Sequence, residues 1–255
     1  MSHRSITIAI GSFIAKLLVA IAFISLSISS IKAQECDLDS LMREYGMINI
    51  HDLDKTILVE LKYSTEDNFV GRDMYGNLES AYLEREFANR VVLAQKILKQ
   101  RNPNYTLLIY DAARPISTQR AMRKIVEGTE LERFVADGTR GGRHNYGVAV
   151  DLTIATIDGT PLDMGAKFDD FTIAASVKGT PDTSDPSTRS IDVYRGYVES
   201  MVAKGTISRL AADNRILLLE VMLQAKLYPY RREWWHYEDI MPMESVRTNY
   251  KLLDF

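Results

Sequence analysis

The chain has a single cysteine, Cys36, in 255 residues. An internal disulfide is therefore excluded in any redox compartment, and stability must come from a packed core, helped by a metal if one binds. An excess of Lys and Arg is also missing, with 31 basic residues against 34 acidic ones. Nucleic acid, which is bound through clustered positive charge, is not the expected partner. No internal repeat and no low-complexity stretch follows the N-terminal region, so solenoids and linkers drop out. Near the start, LLVAIAFISLSISSI is uncharged for 15 residues, short of the roughly 18 that argue for a spanning helix.

What is present is ordinary for a globular protein, 46% hydrophobic and 25% charged. Before the apolar run stand Arg4 and Lys16, and after it comes IKA, the layout of a secretory signal with a small residue at the cut. Cleavage after Ala33 is the expectation, giving a secreted or periplasmic protein with no stable membrane insertion. Lipidation at Cys36 is not expected, because Gln34 and Glu35 are neither small nor apolar. Removing residues 1–33 takes Arg4, Lys16 and Lys32 and no acid, which moves the formal charge from −3 to −6. Residues 34–255 then read as one domain.

Along that domain, alternation predicts a strand around Ile57 to Tyr63, followed by the turn-rich loop STEDNFVGRDMYGN. Leu83 to Gln100 reads as a helix with Phe87, Val91, Leu93, Ala94, Ile97 and Leu98 on one face. A buried strand, Thr106 to Tyr110, stops before Pro115, which opens a helix. GVAVDLTIATIDGTPLDMG reads as a hairpin turning at Asp158-Gly159, and a polar loop covers Gly179 to Ser190. Two more helical patterns follow. Beyond Pro229, REWWHYE reads as a strand. The sum is an α+β domain with helices packed on a mainly antiparallel sheet.

The chain has four histidines, and His3 falls in the signal. His144 and His236 lie in stretches dense with other polar residues, although a lone buried histidine is most often structural. Catalytic zinc sites offer three ligands from His, Asp and Glu and leave a fourth position open. His144, Asp151 and His236 make such a set, with His51 as the spare histidine. Spacing alone is weak evidence, since the seven-residue step from His144 to Asp151 fixes no common face. Glu233, three residues before His236, is placed to take a proton from a metal-activated water. In a regular strand, however, positions three apart point to opposite faces, so the segment must bend. Arg114 sits where strand meets helix and could hold a developing oxyanion or pair with a carboxylate such as Asp111.

Taken together, LKYSTEDNFVGRDMYG, YDAARP, RHNYGVAVDLT, DMGAKFDDF, NRILLLEVM and EWWHYE resemble the D-alanyl-D-alanine dipeptidases, in family order across nearly the whole mature chain. The resemblance implies the mixed α+β fold shared with D,D-carboxypeptidases and the hedgehog signalling domain. It implies one zinc per chain on His144, Asp151 and His236, with Glu233 as catalytic base and Arg114 as transition-state arginine. It also implies that Asp169 receives the substrate's amino group. One departure stands out: Gly142 replaces the serine usual two residues before the first zinc histidine, so a hydroxyl near the substrate is missing.

The expected activity is hydrolysis of the D-alanyl-D-alanine dipeptide to two D-alanines in cell-wall peptide turnover. A D,D-carboxypeptidase acting on peptidoglycan stem peptides would use the same residues. A non-catalytic cell-wall binding protein would have no use for Glu233.

Overall fold

The structure, a computed structural model, describes residues 37–136, 138–179 and 185–255. The signal segment, the cut after Ala33, Cys36 and the middle of the Gly179–Ser190 loop lie outside the described residues. No helix among the described residues is long and apolar enough to cross a membrane.

Two long strands form the spine. β4 (Tyr105–Asp111) and β5 (Ala149–Thr156) pair antiparallel. Around them β2 (Leu58–Val59), β6 (Tyr228–Pro229) and β7 (His236–Glu238) complete a five-stranded sheet in the order β2-β4-β5-β7-β6. Among the described residues only the β2–β4 pair is parallel. A separate ribbon joins β1 (Ile48–Asn49) to β3 (Tyr82–Leu83). The α+β architecture expected from the sequence is the one observed.

Period-2 alternation divides the sheet into two chemically different faces. Leu107, Ile109, Val150, Leu152, Ile154 and Tyr237 share one face and are fully buried. On the other, Asp151 and Thr153 follow each other. Between Ile109 and Asp111 the β4–β5 register shifts, with Tyr110 as the extra residue. Such a bulge moves the following side chain to the opposite face. Asp111 thereby comes opposite Asp151, which in turn lies opposite His236 on β7. Three polar residues from three neighbouring strands are thus aligned on one face.

Helices α1 (Leu38–Glu44), α2 (Arg85–Arg101), α3 (Ile116–Val126), α4 (Ile191–Ala203), α5 (Arg209–Gln224) and α6 (Met243–Asn249) surround the sheet. α2 packs on β4 and on α5, and α4 on α5. Several expectations need correction. Leu93 is 45% exposed, while Ala88 and Val92 are buried instead; at 100° per residue Leu93 falls outside the stripe set by Phe87, Val91, Ala94 and Leu98. Leu83 belongs to β3, and Glu84 caps α2 by accepting from the Phe87 N–H. The first strand is shorter than expected, because Lys62–Ser64 winds into a 3-10 turn. The return arm of the hairpin is a single bridge, Ala155 to Pro161, closed by the Thr156 N–H on the Thr160 carbonyl and the Leu162 N–H on the Ile154 carbonyl, each at 2.9 Å.

Candidate metal centre

The first corner of the site is a 3-10 turn, Arg143–Tyr146, tied to the segment after β4. The Arg114 N–H donates to the His144 carbonyl at 3.0 Å, and Asn145 Nδ2 donates to the Arg114 carbonyl at 2.8 Å. The turn ends at Gly147, whose φ of +70° reverses the chain into β5. A Cβ there would lie 2.8 Å from the Glu84 nitrogen and 2.6 Å from Met47 Sδ, so only glycine fits. Four residues later Asp151 projects from β5, beside His236.

The third corner resolves the problem posed by EWWHY. The segment is no strand before His236: Arg231–Trp235 is a run of turns, with the Glu233 N–H donating to Tyr230 and the His236 N–H to Glu233. Trp234 and Trp235 are buried and anchor the turn, with Trp234 Nε1 donating to the Ala166 carbonyl. A turn brings positions three apart together where a strand would separate them. Glu233 Oε2 lies 3.9 Å from His236 Nδ1.

Three atoms that could bind one metal converge. His236 Nδ1 is 2.9 Å from Asp151 Oδ1, His144 Nε2 is 3.2 Å from His236 Nδ1, and His144 Nε2 is 3.5 Å from Asp151 Oδ1. Ligands bound tetrahedrally at 2.0–2.1 Å lie about 3.3 Å from one another, inside that range. The far side of each ring has its own partner. His144 Nδ1 is 2.7 Å from the Ala112 carbonyl, and His236 Nε2 is 3.0 Å from Glu238 Oε2. With the N–H groups directed to those acceptors, loss of the protons on the inner nitrogens would leave two ring lone pairs and a carboxylate oxygen facing one point. That donor set suits a divalent cation.

The charges in the site agree with this. Burial works against ionised Asp151, but the neighbouring charge of His144 and hydrogen bonds from both histidines hold its pKa well below the usual carboxylate range. Burial would likewise lower His236, yet its bonds to Asp151 and Glu238 keep it well above an ordinary histidine. A cation entering the site displaces that proton. Glu233 is pushed up to about 7, chiefly by burial.

Arg114 lies within the same cavity, a space of about 460 Å³. Its partner is indeed Asp111, here fully buried: Nε donates at 3.2 Å and Nη2 donates to the same oxygen, while Nη1 donates to Gln119 at 2.8 Å. Three of the five guanidinium N–H groups are thus used, and among the described residues no hydrogen bond takes the other two. Asp111 is held in turn by the Tyr75 hydroxyl at 2.6 Å. Asp169, the other acidic candidate, lines the cavity opposite a tyrosine. It accepts from the Tyr63 hydroxyl and the Phe69 N–H, each at 3.2 Å. Its φ of +59° is left-handed, a strained choice outside glycine. Burial, then the charge of Asp151, raises its pKa well above the usual value.

All six sequence candidates therefore border one cavity. His51 does not join them, its ring being bonded to the Ile57 carbonyl at 2.8 Å. Gly142 lines the cavity with open space where a side chain would be, so nothing steric requires glycine there. The sequence reading missed Glu238, although a strand residue two positions from His236 shares its face. It also missed Arg143, whose Nε holds Glu238 at 3.0 Å. Glu238→Gln is expected to weaken metal affinity about 10- to 100-fold, as loss of a ligand's outer hydrogen-bond partner does. Competition with a chromogenic chelator measures this.

A family model described as D-Ala-D-Ala dipeptidase matches residues 43–187. The chain belongs to this D-Ala-D-Ala dipeptidase family. The match spans Arg114, His144, Asp151 and Asp169, while Glu233 and His236 lie beyond its end. The D-alanyl-D-alanine dipeptidase of Escherichia coli is 28% identical over 180 residues, 71% of this chain and 77% of the relative. That of Enterococcus faecium is 25% identical over 217 residues, covering 76% of this chain and 91% of the relative. A Synechocystis protein of the same description is 26% identical over 198 residues, 66% of this chain and 72% of its own length. The family is one of metallopeptidases, which a His-Asp-His cluster suits.

Proposed function

We propose that this chain is a zinc-dependent dipeptidase that hydrolyses D-alanyl-D-alanine to two D-alanines. The observation that carries the reading is the convergence of three ligand atoms within 3.5 Å of one another beside a carboxylate that is not one of them. A purely structural zinc site closes its fourth position and has no use for such a base.

His144, Asp151 and His236 would hold the zinc, which supplies Lewis acidity and lowers the pKa of a water to about 7. Glu233, beside His236 and outside the set of ligand atoms, takes the proton of the attacking water and delivers it to the departing amine. Arg114 offers its two free N–H groups to the oxygen that gains charge. Removing one donor of that kind costs about 2.7 to 4 kcal/mol in the transition state. Its hold on Asp111 and Gln119 fixes the guanidinium before substrate arrives, so little reorganisation is needed. Asp169 receives the substrate's free amine, with Tyr63 orienting the carboxylate.

The biological setting belongs to the same reading: export through the N-terminal signal, action on wall-derived dipeptide outside the cytoplasm, and no nucleic-acid partner. A D,D-carboxypeptidase acting on stem peptides draws support from one feature. A second cavity of about 1030 Å³ adjoins the first, with Phe69 and Asp169 lining both. The chain from Gln34, offered D-alanyl-D-alanine and a stem pentapeptide in separate reactions, is expected to release D-alanine from the dipeptide and little from the pentapeptide. The reverse preference would replace the dipeptidase reading with the carboxypeptidase one.

A further inference from the structure

Arg215 lies on α5, within a helical pattern, and is only 1% exposed. A buried guanidinium is costly unless its donors are satisfied, and here they go to backbone carbonyls. Nε donates to Met164 at 2.6 Å, Nη1 to Ser176 at 3.1 Å and Nη2 to Ala174 at 2.6 Å. Burial pushes its pKa down to about 10, so it remains charged at neutral pH. All three acceptors belong to one stretch of irregular chain, 39 to 51 residues away in sequence.

That stretch carries Phe168 and Asp169. Arg215 grips it on both sides of Asp169, at Met164 before it and at Ala174 and Ser176 after it. Between the last two, the Ala175 carbonyl accepts the Trp234 N–H at 2.9 Å, next to Glu233. Asn214, the neighbour of Arg215, donates to the Asp163 carbonyl at 2.8 Å and fastens the start of the same stretch. Asp169 keeps a left-handed backbone, a conformation uncommon outside glycine, asparagine and aspartate. Asp169 also lines both cavities.

We propose that Arg215 is a positioning residue for substrate recognition. By fixing the 164–176 stretch it holds Asp169 at the wall of the cavity, and so sets the affinity for the substrate's amino end and the barrier to longer peptides. The recognition half of this inference rests on the dipeptidase reading above; the clamp itself does not. Lysine cannot reproduce it, since a single ammonium lacks the planar fork that reaches three separate carbonyls.

The test uses the full mature chain with Arg215→Met, Arg215→Lys and Asn214→Ala. The milder Asn214 change leaves the buried cluster intact and serves if Arg215→Met fails to fold. Hydrogen exchange should quicken in residues 164–176 of each variant while β4 and β5 stay protected. In Arg215→Met, KM for D-alanyl-D-alanine should rise about tenfold with kcat changed little, the pattern of lost uniform binding. Arg215→Lys should fall between Met and the unaltered chain, and bound metal should stay at one per chain throughout. Unchanged exchange in the 164–176 stretch would overturn the clamp. Faster exchange with an unchanged KM would overturn its role in recognition. Should the unaltered chain fail to cleave the dipeptide, the function proposed above falls, and exchange still decides the clamp.

Discussion

Glu233→Gln should lower the turnover of D-alanyl-D-alanine by about a hundred- to ten-thousandfold, the range for losing a positioned general base, while the metal content stays at one per chain. Glutamine matches glutamate in volume and keeps the turn between Tyr230 and His236 intact, because that turn is made by backbone bonds. What it loses is the capacity to accept a proton. Glu233 contributes no atom to the group of His144, Asp151 and His236, so metal affinity should change far less than rate. Steady-state kinetics alongside elemental analysis separates the two. Loss of metal together with activity would make Glu233 a ligand, and near-normal turnover with metal bound would remove it from the reaction.

Asp151→Asn is expected to do the opposite, emptying the centre. Asp151 is the one carboxylate of the three, and its negative charge is what offsets a divalent cation in a buried place. It is also the residue that both histidines contact. Affinity should fall further than the 10- to 100-fold expected when an outer partner is lost. The consequence is visible without any assay of activity. Zinc at about a hundred times its dissociation constant stabilises a folded chain by about 2.7 kcal/mol, a rise in melting temperature of about 5 to 10 °C for a domain of this size. The unaltered chain should show that rise and Asp151→Asn little of it. The metal-induced difference is the quantity to compare, because the substitution also removes hydrogen bonds that stabilise the metal-free chain.

The two substitutions separate what the sequence could and could not reveal. His144, Asp151, Glu233 and His236 were legible because residue types with narrow chemistry occur in short, dense motifs. Their convergence was not, since it depends on backbone irregularities that periodicity does not encode. The extra residue at Tyr110 turns Asp111 toward Asp151. The left-handed Gly147 reverses the chain between His144 and Asp151. The turns of Arg231–Trp235 replace an expected strand and bring Glu233 round to His236.

The fold class followed from alternating strands and helical stripes, and the errors fell where tertiary contacts override local pattern. Leu93 has the hydrophobicity of a core residue and the angular position of a surface one. Arg215 is the reverse case: a charged side chain in a helical pattern reads as solvated, and only the carbonyls it meets far along the chain show why it is buried. Glu238 could have been found, given its place two residues beyond His236 on a strand.

If one metal held by His144, Asp151 and His236 enables hydrolysis of the dipeptide, activity must follow metal loading, which is measured by stripping the chain from Gln34 with a chelator and titrating zinc back while D-alanine release is followed. The rate should rise linearly with added zinc and break at one equivalent per chain, with no such rise in Asp151→Asn. Full D-alanine release from the stripped chain, with no metal detectable, would contradict it.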